Sequence, residues 1–190
     1  MQVYLPMENY IKKLEFDYGV GVLSSVSEEK AKAQTSRKKN VASYNQWLLT
    51  DIPEQENFLN IYEPVNKQSQ IIIDGLKNQN FILTLFISDT KKILAINDTR
   101  ENYDIQINEM IEEKFNLLQS MTGLELVQFV NKRCRNHDMA KSSALLYQAN
   151  IKGTFIPNGE ESDFLIFNPH KDFINVTPKS AVLSASKLIL

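Results

Sequence analysis

Two stretches decide the reading of the fold: T-G-L-E-L-V-Q-F-V-N-K-R at residues 122–133, and D-M-A-K-S-S-A-L-L-Y-Q-A-N-I-K-G-T-F-I-P-N-G-E-E-S-D-F-L-I-F-N at residues 138–168. Thr122 stands three residues before Glu125, the spacing at which a threonine and a glutamate cap a helix reciprocally. Leu126, Val127, Phe129 and Val130 then supply an apolar face. Asn136, His137 and Asp138 break that helix, and Asp138 is a good cap for a second one over 139–149. Asn150 suits the left-handed residue that ends a helix. Residues 151–156 and 164–167 follow as short strands, joined by the acidic loop 157–163.

Working outward, the apolar residues Ile107, Met110, Ile111, Phe115 and Leu118 recur at helical spacing and predict a helix over 107–121. F-I-L-T-L-F-I at 81–87 is rich in aromatic and branched residues and reads as a buried strand. Residues 88–92 carry turn chemistry before I-L-A-I at 93–96, which predicts a hairpin. In the first half, residues 3–6 read as an edge strand closed by Pro6. Ser25 and Glu28 have capping-box spacing before a polar helix at 29–34. Residues 47–52 read as a strand ending at Pro53, residues 58–64 as a second extended piece, and 67–77 as a helix. Helices and strands mix without a regular strand–helix–strand alternation, which predicts an α+β fold. One domain spans 1–190, with an apolar tail at 180–190 that could pack or bind a partner.

Composition narrows the function. A net charge of −2 over 190 residues speaks against a dedicated nucleic-acid binder, and the basic spot at Arg37, Lys38 and Lys39 reads as a solvated helix face. No apolar run reaches the ~20 residues of a membrane span. The opening residues lack the basic start and apolar run of a signal peptide. A single cysteine, Cys134, fits a reducing compartment. The expectation is a cytoplasmic protein without a membrane partner.

The common catalytic signatures are absent. Gly19-Val20-Gly21 lacks the third glycine of a phosphate-binding loop and reads as a turn. Cys134 with His137 or His170 could form a nucleophile–base pair, which needs a thiolate within reach of an imidazole. The same three residues are one short of a closed zinc site, and no metal site is expected. The loop at 160–163 is the better candidate. Glu160, Glu161 and Asp163 crowd the entrance to an apolar strand, where a carboxylate can hold a ribose hydroxyl or support a cation.

Residues 148–155, Q-A-N-I-K-G-T-F, and 162–169, S-D-F-L-I-F-N-P, resemble the end of the ADP-ribosyltransferase-like domains of phage and mobile-element polyproteins. Those domains run "A-G-I-K-G-I-K-Y", a variable loop, then "N-Y-V-I-F-D-P". Residues 51–64, D-I-P-E-Q-E-N-F-L-N-I-Y-E-P, are similar to the family's "I-P, acidic run, F-L-D-W-D-K-P", and Thr122-Gly123-Leu124-Glu125-Leu126 is similar to its "T-G-x-x-L-Y" helix start. The patches fall in the family's order over about half of the chain. A segment at 81–104 has no counterpart and reads as an insertion.

What the resemblance implies is a split, mainly antiparallel sheet with flanking helices, and transfer of ADP-ribose from NAD to a macromolecular target, a protein, by a phage, mobile-element or effector protein. Asp163 takes the position of the residue that supports the ribosyl cation, with Glu160 and Glu161 orienting the acceptor or a ribose hydroxyl. Tyr18 would stack on nicotinamide beside Gly19 and Gly21. The family's first-strand histidine or arginine is missing, since the only histidines are His137 and His170. Val22-Leu23 stand where its aromatic belongs. These departures raise the rival expectation, a catalytically inactive binding or inhibitor protein on the same scaffold.

Overall fold

The computed structural model describes residues 1–6, 14–17, 19–36, 46–96 and 100–180. Two antiparallel strands, β6 (Gly153–Ile156) and β7 (Asp163–Ile166), form its centre together with β3 (Gly19–Ser25). Beyond β3 come β1 (Gln2–Pro6), β4 (Gln46–Asp51) and β8 (Ile174–Ser180), while β5 (Phe58–Asn60) closes the other side. The order is β5-β6-β7-β3-β1-β4-β8, with β2 (Leu14–Phe16) paired to β3 off this path. Only the β5–β6 pair is parallel among these ladders. This is the α+β fold that the mix of elements predicts, with a mostly antiparallel open sheet. The strands follow one hydrogen-bonded path, yet its two halves meet through a narrow joint, because β1 touches β3 in register only at Tyr4 and Ser25.

Pro6 ends β1 opposite Trp47, so its missing N–H interrupts nothing further along. The strand is nevertheless interior, flanked by β3 and β4, which corrects the edge expected from the proline. The edge is β8, where Ile174 is 56% exposed and Pro178 lies opposite Leu48. The tail at 181–190 and the basic spot at 37–39 lie outside the described residues.

Helix α1 (Glu28–Ser36) follows β3, and its cap is Ser27, whose hydroxyl accepts the Lys30 N–H at 3.2 Å. The cap expected at Ser25 is thus shifted by two residues. Ser25 is still in the sheet, where its hydroxyl donates to the Ser162 carbonyl and accepts the Ser27 N–H. The other helices form a layer against the sheet: α2 (Gln70–Lys77), α3 (Gln79–Leu85), α4 (Ile87–Ile96), α5 (Arg100–Leu118), α6 (Gly123–Arg133) and α7 (Met139–Gln148). A short α8 (Pro169–Asp172) links β7 to β8.

The strand and hairpin expected at 81–96 are helices α3 and α4. Asn78 starts the first of them, its side chain accepting from the N–H groups of Asn80 and Phe81. Phe81, Ile82, Leu85 and Phe86 are the buried positions, a spacing that a helix buries on one face and a strand would divide between two. Thr90, in the supposed turn, donates its hydroxyl back toward the carbonyls of Leu83 and Phe86. Elsewhere the caps fall where expected. Thr122 and Glu125 form a reciprocal box, Asp138 accepts from the Lys141 N–H, and Asn150 adopts φ 64°.

Leu165 of β7 faces the helices and packs in a cluster with Leu76, Ile82, Leu126 and Leu146. Phe164 and Ile166 face the other way, with Phe164 stacked at 4.8 Å on Phe155 and edge-on at 5.0 Å to Phe58. Helix α2 is drawn tight against the end of α7, since a side chain at Gly75 would overlap the Ala149 carbonyl oxygen. In an open helix Gly→Ala stabilises by about 1 kcal/mol. Here overpacking, which costs about 1–3 kcal/mol, reverses the sign. Gly75→Ala is expected to lower the melting temperature by several degrees, as read by thermal denaturation; a rise would show that the two helices do not meet this closely.

Candidate functional site

The residues that the resemblance assigns to catalysis surround the start of β7. In register across the sheet lie Tyr4 of β1, Ser25 of β3, Asp163 of β7 and Ile156 of β6. Residues directly opposite one another share a face, so this row sets Asp163 beside Ser25, with Tyr4 one strand further on. The loop before Asp163 is held by Ser162, whose hydroxyl donates to the Gly159 carbonyl and accepts the Asn158 N–H. Glu160 and Glu161 stand at its exposed tip.

Asp163 is engaged. The Lys30 ammonium, from the first turn of α1, donates to Oδ2 at 2.6 Å and to the Glu161 carbonyl at 3.1 Å. The two side chains are only 25% and 15% exposed, so this pair is shielded from solvent and ties α1 to the β6–β7 loop. The other oxygen, Oδ1, is buried and has no hydrogen-bond partner. Lys30 is the partner that the sequence did not reveal, because 133 residues separate it from Asp163.

Of the residues expected at the cofactor, Tyr18 lies outside the described residues. Gly19 and Gly21 are not in a turn but in β3, opposite Phe16 and Leu14 of β2. A side chain at Gly19, where φ is 134°, would come within 2.6 Å of the Phe167 ring, and one at Gly21 would overlap the Ile166 carbonyl. Close approach to the end of β7 therefore accounts for both glycines.

The cysteine nucleophile expected as an alternative is disfavoured. Burial pushes the Cys134 thiol up, the Asp138 charge adds to it, and Lys141 opposes. A nucleophilic cysteine needs the reverse. His137 and His170 are both exposed, and His137 meets Cys134 through its backbone N–H, which donates to the Cys134 carbonyl at 3.1 Å. Among the described residues there is no group of three or more His, Cys, Asp or Glu that could hold a metal ion, and no helix is long and apolar enough to cross a membrane.

No family model, curated protein or solved structure matches the chain.

Two further features were not foreseen. A cavity of about 500 Å³ is lined by Glu54, Glu56 and Glu63 around Phe58 and Phe155. Glu54 also holds the Met1 amino group at 3.1 Å. Elsewhere, Asp172 of α8 is only 5% exposed, yet carries a carboxylate whose Oδ1 accepts the Tyr147 hydroxyl at 3.1 Å. Its Oδ2 is buried without a partner. Burial pushes Asp172 up, against the Tyr147 hydrogen bond and the charges of Lys152 and Lys171. Burial and the Asp172 charge push Tyr147 up to about 12. No spacing links residues 147 and 172, so the pair shows only in the fold.

A carboxyl whose folded pKa is raised stabilises the protein below its ordinary value of 3.8 and loses that contribution as pH climbs through the raised value. Asp172→Asn removes this titration. Thermal melts across pH are expected to show the variant gaining on the wild type from acid toward neutral pH. A constant difference between the two would mean that Asp172 is not buried as an acid.

Proposed function

We propose that this chain is a binding protein on a transferase-like scaffold, one whose acidic cavity receives basic side chains of a protein partner, and that it does not transfer ADP-ribose. The Lys30–Asp163 pair carries this reading. An oxocarbenium-like centre needs a carboxylate whose charge is directed at it. An ammonium at 2.6 Å from Oδ2 offsets that charge and engages one of the two carboxylate oxygens. The missing first-strand histidine or arginine points the same way. The acidic cavity supplies a recognition surface instead, since a lysine or arginine of a partner would meet carboxylates at its rim and the aromatic rings of Phe58 and Phe155 inside.

NAD-dependent transfer to a protein is the second reading, favoured by one observation, the unpartnered Oδ1 of Asp163. In that case Glu160 or Glu161 would orient the acceptor.

Calorimetric titration with NAD separates the two. No heat is expected up to roughly millimolar NAD, near −4 kcal/mol of binding free energy, in the wild type or in Lys30→Met, which frees the carboxylate. Micromolar binding that weakens in Asp163→Ala would overturn the proposal and establish NAD as a ligand. Glu56→Lys with Glu63→Lys is expected to abolish the response of the cavity residues to an arginine-rich peptide in NMR titrations. An unchanged response would move the docking surface elsewhere.

A further inference from the structure

A second cavity lies beyond the other end of β7 from Asp163. Its volume is about 320 Å³, and α7 lines it with residues spaced three and four apart, among them Ala140, Ser143 and Ala144. Opposite stand Val20 at the start of β3, Phe167 and Asn168 just past β7, and Lys171 of α8. The small side chains of α7 leave the space, and the flanking elements close it.

Its polar groups are unevenly satisfied. Ser143 is 3% exposed, and its oxygen accepts the Val20 N–H at 2.8 Å. Among the described hydrogen bonds no acceptor takes the hydroxyl proton of Ser143, so a buried donor is left at the cavity wall. A buried donor of this kind costs free energy until something accepts from it. Asn168 caps α8 without using its side chain, whose amide can also donate. Lys171 brings a positive charge to the rim. Tyr147 and Gln148 of α7 also line the cavity, and Val20, Ala140, Ala144 and the ring of Phe167 form its apolar part.

We propose that this cavity binds a small carboxylate with a short apolar body, its oxygens meeting the Ser143 hydroxyl, the Asn168 amide and the Lys171 ammonium while the body lies against Phe167 and Val20. At the ~30 Å³ that a water molecule occupies in the liquid, the space holds on the order of ten atoms of that size, which limits the ligand to one ring or a short branched chain. The neighbouring carboxyl of Asp172 has its Oδ1 engaged by the Tyr147 hydroxyl, and the Lys152 ammonium sits 4.7 Å from the Tyr147 ring, so a second cation stands on that side. The site is independent of the partner-docking reading, because it shares no residue with the acidic cavity or with the Lys30–Asp163 pair.

Benzoate and its uncharged isostere benzamide test this in amide NMR titrations of the full chain. Benzoate is expected to shift the Val20, Ser143 and Asn168 resonances and to saturate, with benzamide weaker by about tenfold, the weight of one charge-assisted hydrogen bond. Lys171→Met, at an exposed position that leaves the fold intact, is expected to weaken benzoate by about tenfold. Ala144→Phe, also at an exposed position, fills the space and is expected to abolish saturation. Equal binding of benzamide, shifts confined to other residues, unchanged affinity in Lys171→Met or no saturation by wild type would each overturn the proposal.

Discussion

Strand β7 is buried on both faces, and its neighbours reach it only because they lack side chains at the points of contact. A Cβ at Gly153 of β6 would overlap the Leu165 carbonyl, and one at Gly21 of β3 would overlap that of Ile166. With β6 and β3 so close, Leu165 can enter the helical cluster while Phe164 stacks on Phe155 and meets Phe58 edge-on. Both cores thus hang on four residues. The candidate site and the carboxylate-binding cavity sit at the two ends of the same strand, so the packing that fixes Asp163 at one end also fixes Phe167 and Asn168 at the other.

This arrangement changes what the glycines of β3 mean. Taken as a motif, Gly19 and Gly21 read as a turn, and the resemblance sets them beside a nicotinamide. In the fold they are sites where one strand must pass close to another and to the Phe167 ring. Such a requirement holds whether or not a nucleotide is ever bound. The glycines, the helix start at Thr122 and the strand at 163–166, which carry the resemblance to the transferase family, are thus also features that packing and capping require, and the Asp163 carboxylate meets a lysine.

The legible parts of the fold were those set by neighbours in sequence. Thr122 with Glu125, Asp138 with Lys141, and Asn150 in a left-handed conformation act within a few residues, and their positions were correct. Residues 81–96 misled because branched and aromatic residues favour strands, while the burial of Phe81, Ile82, Leu85 and Phe86 depends on α5 and α6, which no local pattern announces. Ser25 misled for a similar reason: it had the spacing of a cap, but pairing with Asp163 keeps it in the sheet. At the site, Asp163 could be placed at the start of its strand, yet Lys30 and the Tyr147–Asp172 pair are products of tertiary distance and left no trace in spacing.

The sheet order also has a temporal consequence. The middle ladder joins Val22 to Ile166, and β5 pairs with β6 when Phe58 meets Gly153. By contrast, α2 through α7 are consecutive and pack on one another. Closing a loop of well over a hundred residues must precede any gain from the central ladder. As the chain leaves the ribosome, the helical layer can gather while β3, β4 and β5 each wait with one or more open edges for the last fifth of the described residues. During that interval the strands are exposed to mispairing, and the slow step of folding is the arrival of β6 and β7.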